Sequence, residues 1–497
     1  MESAARPRRR LLALLSSAVL TLGSATSVVA PVAAATLHPA VSDYAQVSTS
    51  GTPPTAAQCY SAGRRCFTPQ SIRASYNLQP LYDQGFDGRG ITIAIVDSYG
   101  SDTMAHDLHV FDTAFGLQPM CGEEGVTCTA GMPTFSQLHV QGAPATKSQP
   151  GKGTGLENKS AWALEVALDV ETSHAIAPRA NILLVTSPNA ETLGVQGFPA
   201  MMYAEQYVVD HELAQVISQS FASAEDAFGS AQSLENLRHA FKAAALNGVT
   251  VLGSSGDGGS ANARKTPVAN GGSLIPYPTV EWPASDPLVT GIGGTYLCTN
   301  AETGLGVDNV HPGGKCRTIT GQREVAWTFS GGGFSHVFSR PAYQDHLPAG
   351  STPIPPSRRG VPDVAFQASA GTGALVYLSL PPDGQSGLLC GNDPCSTGWY
   401  DIGGTSLSCP QWAGLIAIAD QINGGGLGLI NPALYKIGAS PARYAADFYD
   451  VASGNTNQTD PSIAGYAAGP GWDPVTGLGT PNAAALLPDL VAAAHGH

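Results

Sequence analysis

Asp401-Ile402-Gly403-Gly404-Thr405-Ser406-Leu407-Ser408-Cys409-Pro410-Gln411-Trp412-Ala413-Gly414 is the stretch on which the reading of this chain turns. A glycine-rich turn delivers one serine, and the apolar run from Ala413 to Ile418 follows with helical spacing. Glycine accepts backbone angles that other residues resist, so such a turn can present Ser406 unobstructed. If Ser406 opens the helix, its hydroxyl and backbone N–H stand at the positive end of the dipole, where negative charge developing on an oxygen is stabilised. The plainer reading is a Ser or Thr cap on a core helix. The stretch alone leaves these level, and two acidic stretches upstream separate them.

The first is Trp162-Ala163-Leu164-Glu165-Val166-Ala167-Leu168-Asp169-Val170-Glu171. Glu165 and Asp169 are four residues apart, so on a helix they share one face, about 5–6 Å apart at Cβ. A solvated acidic face is the plain reading. A buried pair sharing a proton is the functional one, because apolar neighbours raise the cost of two charges. The second is Val251-Leu252-Gly253-Ser254-Ser255-Gly256-Asp257-Gly258-Gly259, an apolar strand running into a glycine turn that bears one aspartate. Ordinary turn chemistry accounts for such an Asp. A protonated Asp257 at a strand's carboxyl end can instead donate a hydrogen bond to an oxyanion.

Composition bounds the rest. The chain has 497 residues, 43% of them hydrophobic, with 59 Gly and 37 Pro. That apolar content argues against disorder and supports a large core with dense turns. Arg6, Arg8, Arg9 and Arg10 precede the apolar run 11–22 and a small-residue site at Ala33-Ala34-Ala35. This order reads as a secretory signal peptide over residues 1–35, whose apolar run is too short for a membrane anchor. Cleavage there would leave 20 basic against 37 acidic side chains, a formal charge of −17. So acidic a surface disfavours nucleic acid and anionic membranes as partners and fits work in acid. A secreted, extracellular, monomeric protein is expected.

Nine cysteines form four close pairs, Cys59/Cys66, Cys121/Cys128, Cys298/Cys316 and Cys390/Cys395, with Cys409 left over. In an exported chain such pairs suggest local disulfides, and Cys409 reads as a buried free thiol. Residues 36–66 read as a short N-terminal segment or remnant propeptide, with ordered structure starting near Phe67. Thr68 is a helix cap there, with Pro69 at the first helical position. Strands are expected at 91–96, 182–186, 215–218, 249–253, 288–292 and 374–378, and helices at 158–173, 200–212 and 231–247. Apolar strands alternating with helices indicate a parallel sheet covered on both faces, with active residues at the strands' carboxyl ends.

Three motifs, in order, carry a resemblance: Glu165-x-x-x-Asp169, Ser254-Ser255-Gly256-Asp257 and Gly403-Gly404-Thr405-Ser406-x-x-x-Pro410. With Ser218-Gln219-Ser220-Phe221, Ser330-Gly331-Gly332-Gly333-Phe334-Ser335 and Arg359-Gly360-Val361-Pro362-Asp363-Val364, the chain resembles the sedolisin family. These are serine-carboxyl peptidases with a subtilisin-like three-layer α/β fold, a mostly parallel central sheet flanked by helices. The likeness runs from about Phe67 to Pro481, and a peptidase domain over 67–497 is expected. It implies Ser406 as nucleophile, Glu165 as base, Asp169 as its orienter and Asp257 as oxyanion donor. An acid-acting endopeptidase on protein or peptide substrates follows, with tripeptide-releasing exopeptidase action or an inactive peptidase scaffold as alternatives. Asp97 either extends the proton network or caps a turn. A subtilisin-type histidine base lacks support, because His106, His109, His139 and His174 stand outside any His-Gly-Thr context; His174 reads as a helix-end residue suited to the dipole.

The resemblance also implies one structural Ca2+, held by the carboxylates of Asp450 and Asp473 and the carbonyls of Val451, Gly469 and Gly471. Hard oxygen donors on glycine-rich loops suit that ion. Sedolisins carry a long folded pro-domain, whereas 31 residues separate Ala35 from Phe67, so family-style autoactivation is not expected from this segment.

Overall fold

A computed structural model describes residues 38–39, 43–142, 156–188, 197–264, 273–379, 389–390, 393–394, 397–452 and 454–496. The expected signal peptide and the Cys390/Cys395 pairing lie outside these residues.

The strands, in chain order, are β1 (His38–Pro39), β2 (Tyr44–Ser48), β3 (Thr92–Ser98), β4 (Phe135–His139), β5 (Asn181–Ser187), β6 (Val216–Gln219), β7 (Phe221–Ala224), β8 (Thr250–Ser254), β9 (Glu281–Trp282), β10 (Thr290–Leu297), β11 (Glu324–Ala326), β12 (Gly333–Phe334), β13 (Gly360–Val361), β14 (Val364–Gln367), β15 (Ala374–Leu378), β16 (Leu389–Cys390), β17 (Asp393–Pro394), β18 (Gly398–Ile402), β19 (Phe448–Tyr449) and β20 (Thr480–Pro481). The helices are α1 (Ala56–Ser61), α2 (Pro69–Ser75), α3 (Gln79–Asp83), α4 (Met104–Phe115), α5 (Leu156–Ile176), α6 (Phe198–Asp210), α7 (Ala231–Glu235), α8 (His239–Leu246), α9 (Thr405–Asn423), α10 (Asn431–Gly438), α11 (Pro441–Asp447) and α12 (Ala483–Ala494).

Eight strands make the central sheet, in the order β11-β10-β8-β6-β3-β5-β4 with β14 also on β10. All pairings are parallel except β10 with β11. Helices cover both faces. α5 and α9 pack together and onto β3, while α9 also lies on β6, β8, β10 and β14; α6 and α8 pack on the other face. This is the three-layer α/β arrangement expected, and its near-continuous apolar strands are buried accordingly. In β3, Ile93 to Ser98 are all buried. In α9 everything from Thr405 to Asp420 is buried. Each fully buried Leu or Ile there contributes roughly 1.5–3 kcal/mol.

Three expectations need correction. Ala374–Leu378 is a strand but not part of the parallel sheet; it pairs antiparallel with β18, which pairs antiparallel with β2. The expected helix at 231–247 is two, α7 and α8, broken at 236–238. Ser230 caps the first through a reciprocal bond with Ser233, and Leu237 and Leu234 both turn into the core. Ordered structure also begins well before Phe67. β2 is the outer neighbour of β18, Thr55 caps α1, Cys59 bonds Cys66, and the Arg65 guanidinium is buried on the carbonyls of Thr299, His311 and Pro312. Alternation of polar and small residues hid this, because β2 is only half-buried and gains its partner from a strand 350 residues on.

Thr68 caps α2 with Pro69 at its first position, as expected. Disulfides Cys59–Cys66, Cys121–Cys128 and Cys298–Cys316 are present, and Cys409 is a buried free thiol. Among the described residues no helix is long and apolar enough to cross a membrane.

Candidate active site

Neighbouring strands β3, β6 and β8 are parallel, so their carboxyl ends lie side by side. β3 carries Asp97 as its penultimate residue, β6 runs on to Ser220, and β8 runs into Ser255-Gly256-Asp257. From the second sheet, β18 feeds Gly403-Gly404 into α9. Gly404 is the cap residue at φ 126°, a backbone region that favours glycine. Ser406 is therefore the second residue of α9. First-turn N–H groups of a helix have no intrahelical acceptor. The N–H of Thr405 is taken by Asp257 Oδ1 at 2.7 Å, and its hydroxyl donates to the same oxygen at 2.9 Å. Asp257 is thereby fixed one residue from the serine. The Ser406 hydroxyl is fully buried and, among the described residues, makes no hydrogen bond.

Glu165 and Asp169 lie on α5, both fully buried. Ser220 donates to Asp169 Oδ1 at 3.0 Å. Burial, reinforced by the charges of Asp97 and Glu165, holds Asp169 well above the usual carboxylate range. Glu165 and Asp169 both bear on the Cys409 thiol, which burial pushes up to about 12. Cys409 is one turn along α9 from Ser406, so the two acids face the first turn of that helix. Asp257 is thus tied to Thr405, the neighbour of Ser406, and the charges of the acid pair act on Cys409 one turn along the same helix.

The sequence left Asp97 between a network role and a turn cap. Among the described residues neither of its oxygens has a hydrogen-bond partner, so it caps no described turn. Burial raises it to about 8, and its charge acts on Asp169. Two positioning side chains, Thr405 and Ser220, went unremarked as such. Both lie inside quoted motifs, but only the folded chain shows what they hold. His174 is a helix-end residue as expected, though fully buried, with Nε2 3.0 Å from the buried Asp112.

Near the C-terminus Asp473 Oδ1 accepts from the N–H of Val475 and Thr476, and Oδ2 from Thr476 Oγ1 and Gly469 N. Asp450 Oδ2 accepts from Gly471 N at 3.0 Å. Burial raises Asp473 to about 7, and the two carboxylates meet at one loop, accepting from the N–H of Gly469 and of Gly471. Among the described residues the carbonyls of Val451, Gly469 and Gly471 accept no hydrogen bond. No group of three or more His, Cys, Asp or Glu able to hold a metal is present among the described residues.

No protein-family profile matches the chain. Kumamolisin from Bacillus sp. (strain MN-32) is 30% identical over 446 residues, covering 88% of this chain and 66% of that protein. Tripeptidyl-peptidase 1 from Homo sapiens is 28% identical over 369 residues, covering 70% and 55%. Sedolisin from Pseudomonas sp. (strain 101) is 31% identical over 302 residues, covering 61% and 45%. The chain therefore spans about half to two thirds of the length of these relatives. Among solved structures, Pseudomonas sedolisin, a serine-carboxyl proteinase complexed with two molecules of pseudo-iodotyrostatin, superposes with a TM-score of 0.60 at 25% identity. That match covers 86% of this chain and 98% of the other.

Proposed function

The chain belongs to the sedolisin family, and from that premise we propose that it is an exported serine-carboxyl endopeptidase hydrolysing peptide bonds in acid. The observation that carries this reading is a buried serine at a helix start whose neighbour Thr405 anchors one carboxyl and whose helix, at Cys409, meets the charges of a buried acid pair. Ser406 Oγ attacks the peptide carbonyl, and Glu165 accepts its proton. Asp169, held by Ser220 and adjoined by Asp97, keeps Glu165 oriented. Negative charge forms on the carbonyl oxygen, where a protonated Asp257 and the Ser406 N–H donate hydrogen bonds. Glu165 then protonates the leaving amine, and water attacks the acyl-enzyme by the reverse sequence. The base works ionised and the oxyanion donor works protonated, a combination that acid favours.

Asp450 and Asp473, with the carbonyls of Val451, Gly469 and Gly471, fit one structural Ca2+. Two converging carboxylates and three carbonyls without protein donors are the hard-oxygen set that ion takes. When bound, the ion would neutralise that charge and clip the C-terminal loops. Three local disulfides support an oxidising destination, and export follows from the N-terminal pattern.

Digestion of a denatured protein between pH 3 and 7 tests the reading. Cleavage confined to acid and absent in Ser406→Ala and Glu165→Gln is expected; neutral cleavage surviving Glu165→Gln would sink it. Likeness to tripeptidyl-peptidase 1 favours a second reading, tripeptide release. Product sequencing separates the two, since internal fragments mean an endopeptidase and successive tripeptides an exopeptidase.

A further inference from the structure

The three N–H groups that precede Ser406 are each held by a different part of the chain. Thr405 donates to Asp257 Oδ1, Gly404 to the carbonyl of Ala368 at 2.6 Å, and Gly403 to the carbonyl of Asp43 at 3.1 Å. Glycine has no side chain to anchor, so the path of 403–404 is set by those backbone bonds and by what surrounds them. The surroundings are tight. A Cβ on Gly403 would stand 2.2 Å from Ala370 N and 2.5 Å from Ala368 O. Whatever places Asp43 and the 368–370 loop therefore places the turn that leads into Ser406.

One side chain joins those two segments. Arg64 donates from Nη2 to Asp43 Oδ1 at 2.8 Å and from Nη1 to the carbonyl of Ala370 at 3.1 Å. The buried carboxyl of Asp401, two residues before Gly403, stands 3.5 Å from Nη1. The main chain around Arg64 is itself fixed. Its N–H is on the carbonyl of Cys59, Cys59 is bonded to Cys66, and the N–H of Arg65 is on the carbonyl of Gly371 at 3.1 Å. A guanidinium is a planar fork with donors at set angles, so bonding two acceptors at once fixes their separation. The Asp43 side chain is 54% exposed, and an ion pair so open to water adds little to stability. Its consequence lies in placement.

We propose that Arg64 is a positioning residue for the nucleophile: its fork ties Asp43 to the 368–370 loop, the two segments whose carbonyls hold Gly403 and Gly404, and so sets where Ser406 stands. Residues 43–66, read from the sequence as a remnant propeptide, are on this account a working part of the catalytic unit. The proposal rests on the peptidase reading. One arm of its test needs no activity, so the two can fail separately.

Steady-state kinetics at pH 4, on a peptide taken from the digestion described above, would compare the wild type with Arg64→Ala, Asp43→Ala, the double variant and Asp43→Asn. Melts in the same buffer would supply the folded fraction. Misplacing a nucleophile by about 1 Å can cost 100-fold, so Arg64→Ala and Asp43→Ala should each lower kcat roughly 10- to 100-fold with KM unchanged. The double variant should lose no more than either alone, because both break one link. Asp43→Asn keeps an acceptor for the guanidinium and should retain activity. Deuterium exchange of the resting enzyme should quicken in the peptide spanning 398–407 in both Ala variants and stay as it was in the peptide spanning 165–176. Unchanged kcat in both Ala variants would overturn the proposal, as would losses that add or a loss that falls on KM. If Arg64→Ala fails to fold, Asp43→Ala against Asp43→Asn decides, since that side chain is half open to water. If the wild type cleaves nothing in acid, the peptidase reading falls, and exchange at 398–407 decides the link by itself.

Discussion

Ser406 illustrates how a side chain acquires chemistry from its neighbours' confinement rather than from its own reactivity. Its position at the second residue of α9 follows Gly404, and Asp257, the proposed oxyanion partner, accepts from both the N–H and the hydroxyl of Thr405. Thr405→Val keeps the shape but removes the hydroxyl that bonds both Asp257 Oδ1 and Gly256 N. A fall in kcat of about 10- to 100-fold with little change in KM is expected, since the lost bond serves the transition state; steady-state kinetics at the acid optimum would check it. A second residue carries the opposite lesson. Glu205, on α6, is fully buried with neither oxygen partnered among the described residues, and burial holds it well above the usual range. Because its folded-state value exceeds the unfolded one, its contribution is favourable below about pH 4 and lost as pH rises. Glu205→Leu should therefore stabilise by roughly 1–3 kcal/mol at pH 7 and less at pH 4, read by thermal melts at both.

Among elements, the helix α5 and the two turns bearing Asp257 and Ser406 were legible in the sequence because each announces itself locally. Glu165 and Asp169 keep helical spacing, and the glycines of 256 and 403–404 mark sharp turns after apolar strands. What escaped notice is long-range. β15 has the composition of a parallel core strand, yet its partners are β18 and, through it, β2. Nothing within five apolar residues encodes which sheet they join. The same holds for Asp97, whose role depends on α5 arriving over the end of β3. The β2–β18 pair has an electrostatic side. Arg64 donates to Asp43 at 2.8 Å and stands 3.5 Å from the fully buried Asp401. Burial lifts Asp401 well above its usual value, and Arg64 opposes that. Removing the cation leaves Asp401 to hold its proton further up the scale. Arg64→Ala should cost little at pH 4 and about 1–3 kcal/mol at pH 7, so an equal loss at both pH values in chemical denaturation would contradict this account.

Across the whole molecule, buried carboxyls set the range in which the fold persists. Burial raises Asp107 to about 6 and Asp97, Glu281 and Asp420 to about 8, with Asp169, Glu171 and Asp401 well above the usual range. Each is raised above its unfolded value, so each favours the fold below about pH 4 and ceases to do so as pH climbs through 6 to 8. The melting temperature should fall by roughly 5 °C or more between pH 4.5 and pH 8, and a flat or rising profile would refute this. Adding a chelator should lower it further and added Ca2+ should restore it, if Asp450 and Asp473 hold the ion.

The N-terminal strand β2 bears on how this protein can be produced. A recombinant version trimmed to begin at Phe67, where the sequence places the start of order, would lack the antiparallel neighbour of β18. It would also lose the Asp43 carbonyl that accepts the Gly403 N–H, the Arg64 cation and the Cys59–Cys66 link. Gly403 is three residues from Ser406. Such a truncation would yield inclusion bodies or a soluble but silent protein, and its silence would be mistaken for missing catalytic chemistry when the fault is a missing edge of the sheet. Expression should start upstream of Asp43, with any affinity tag placed at the other terminus, beyond α12.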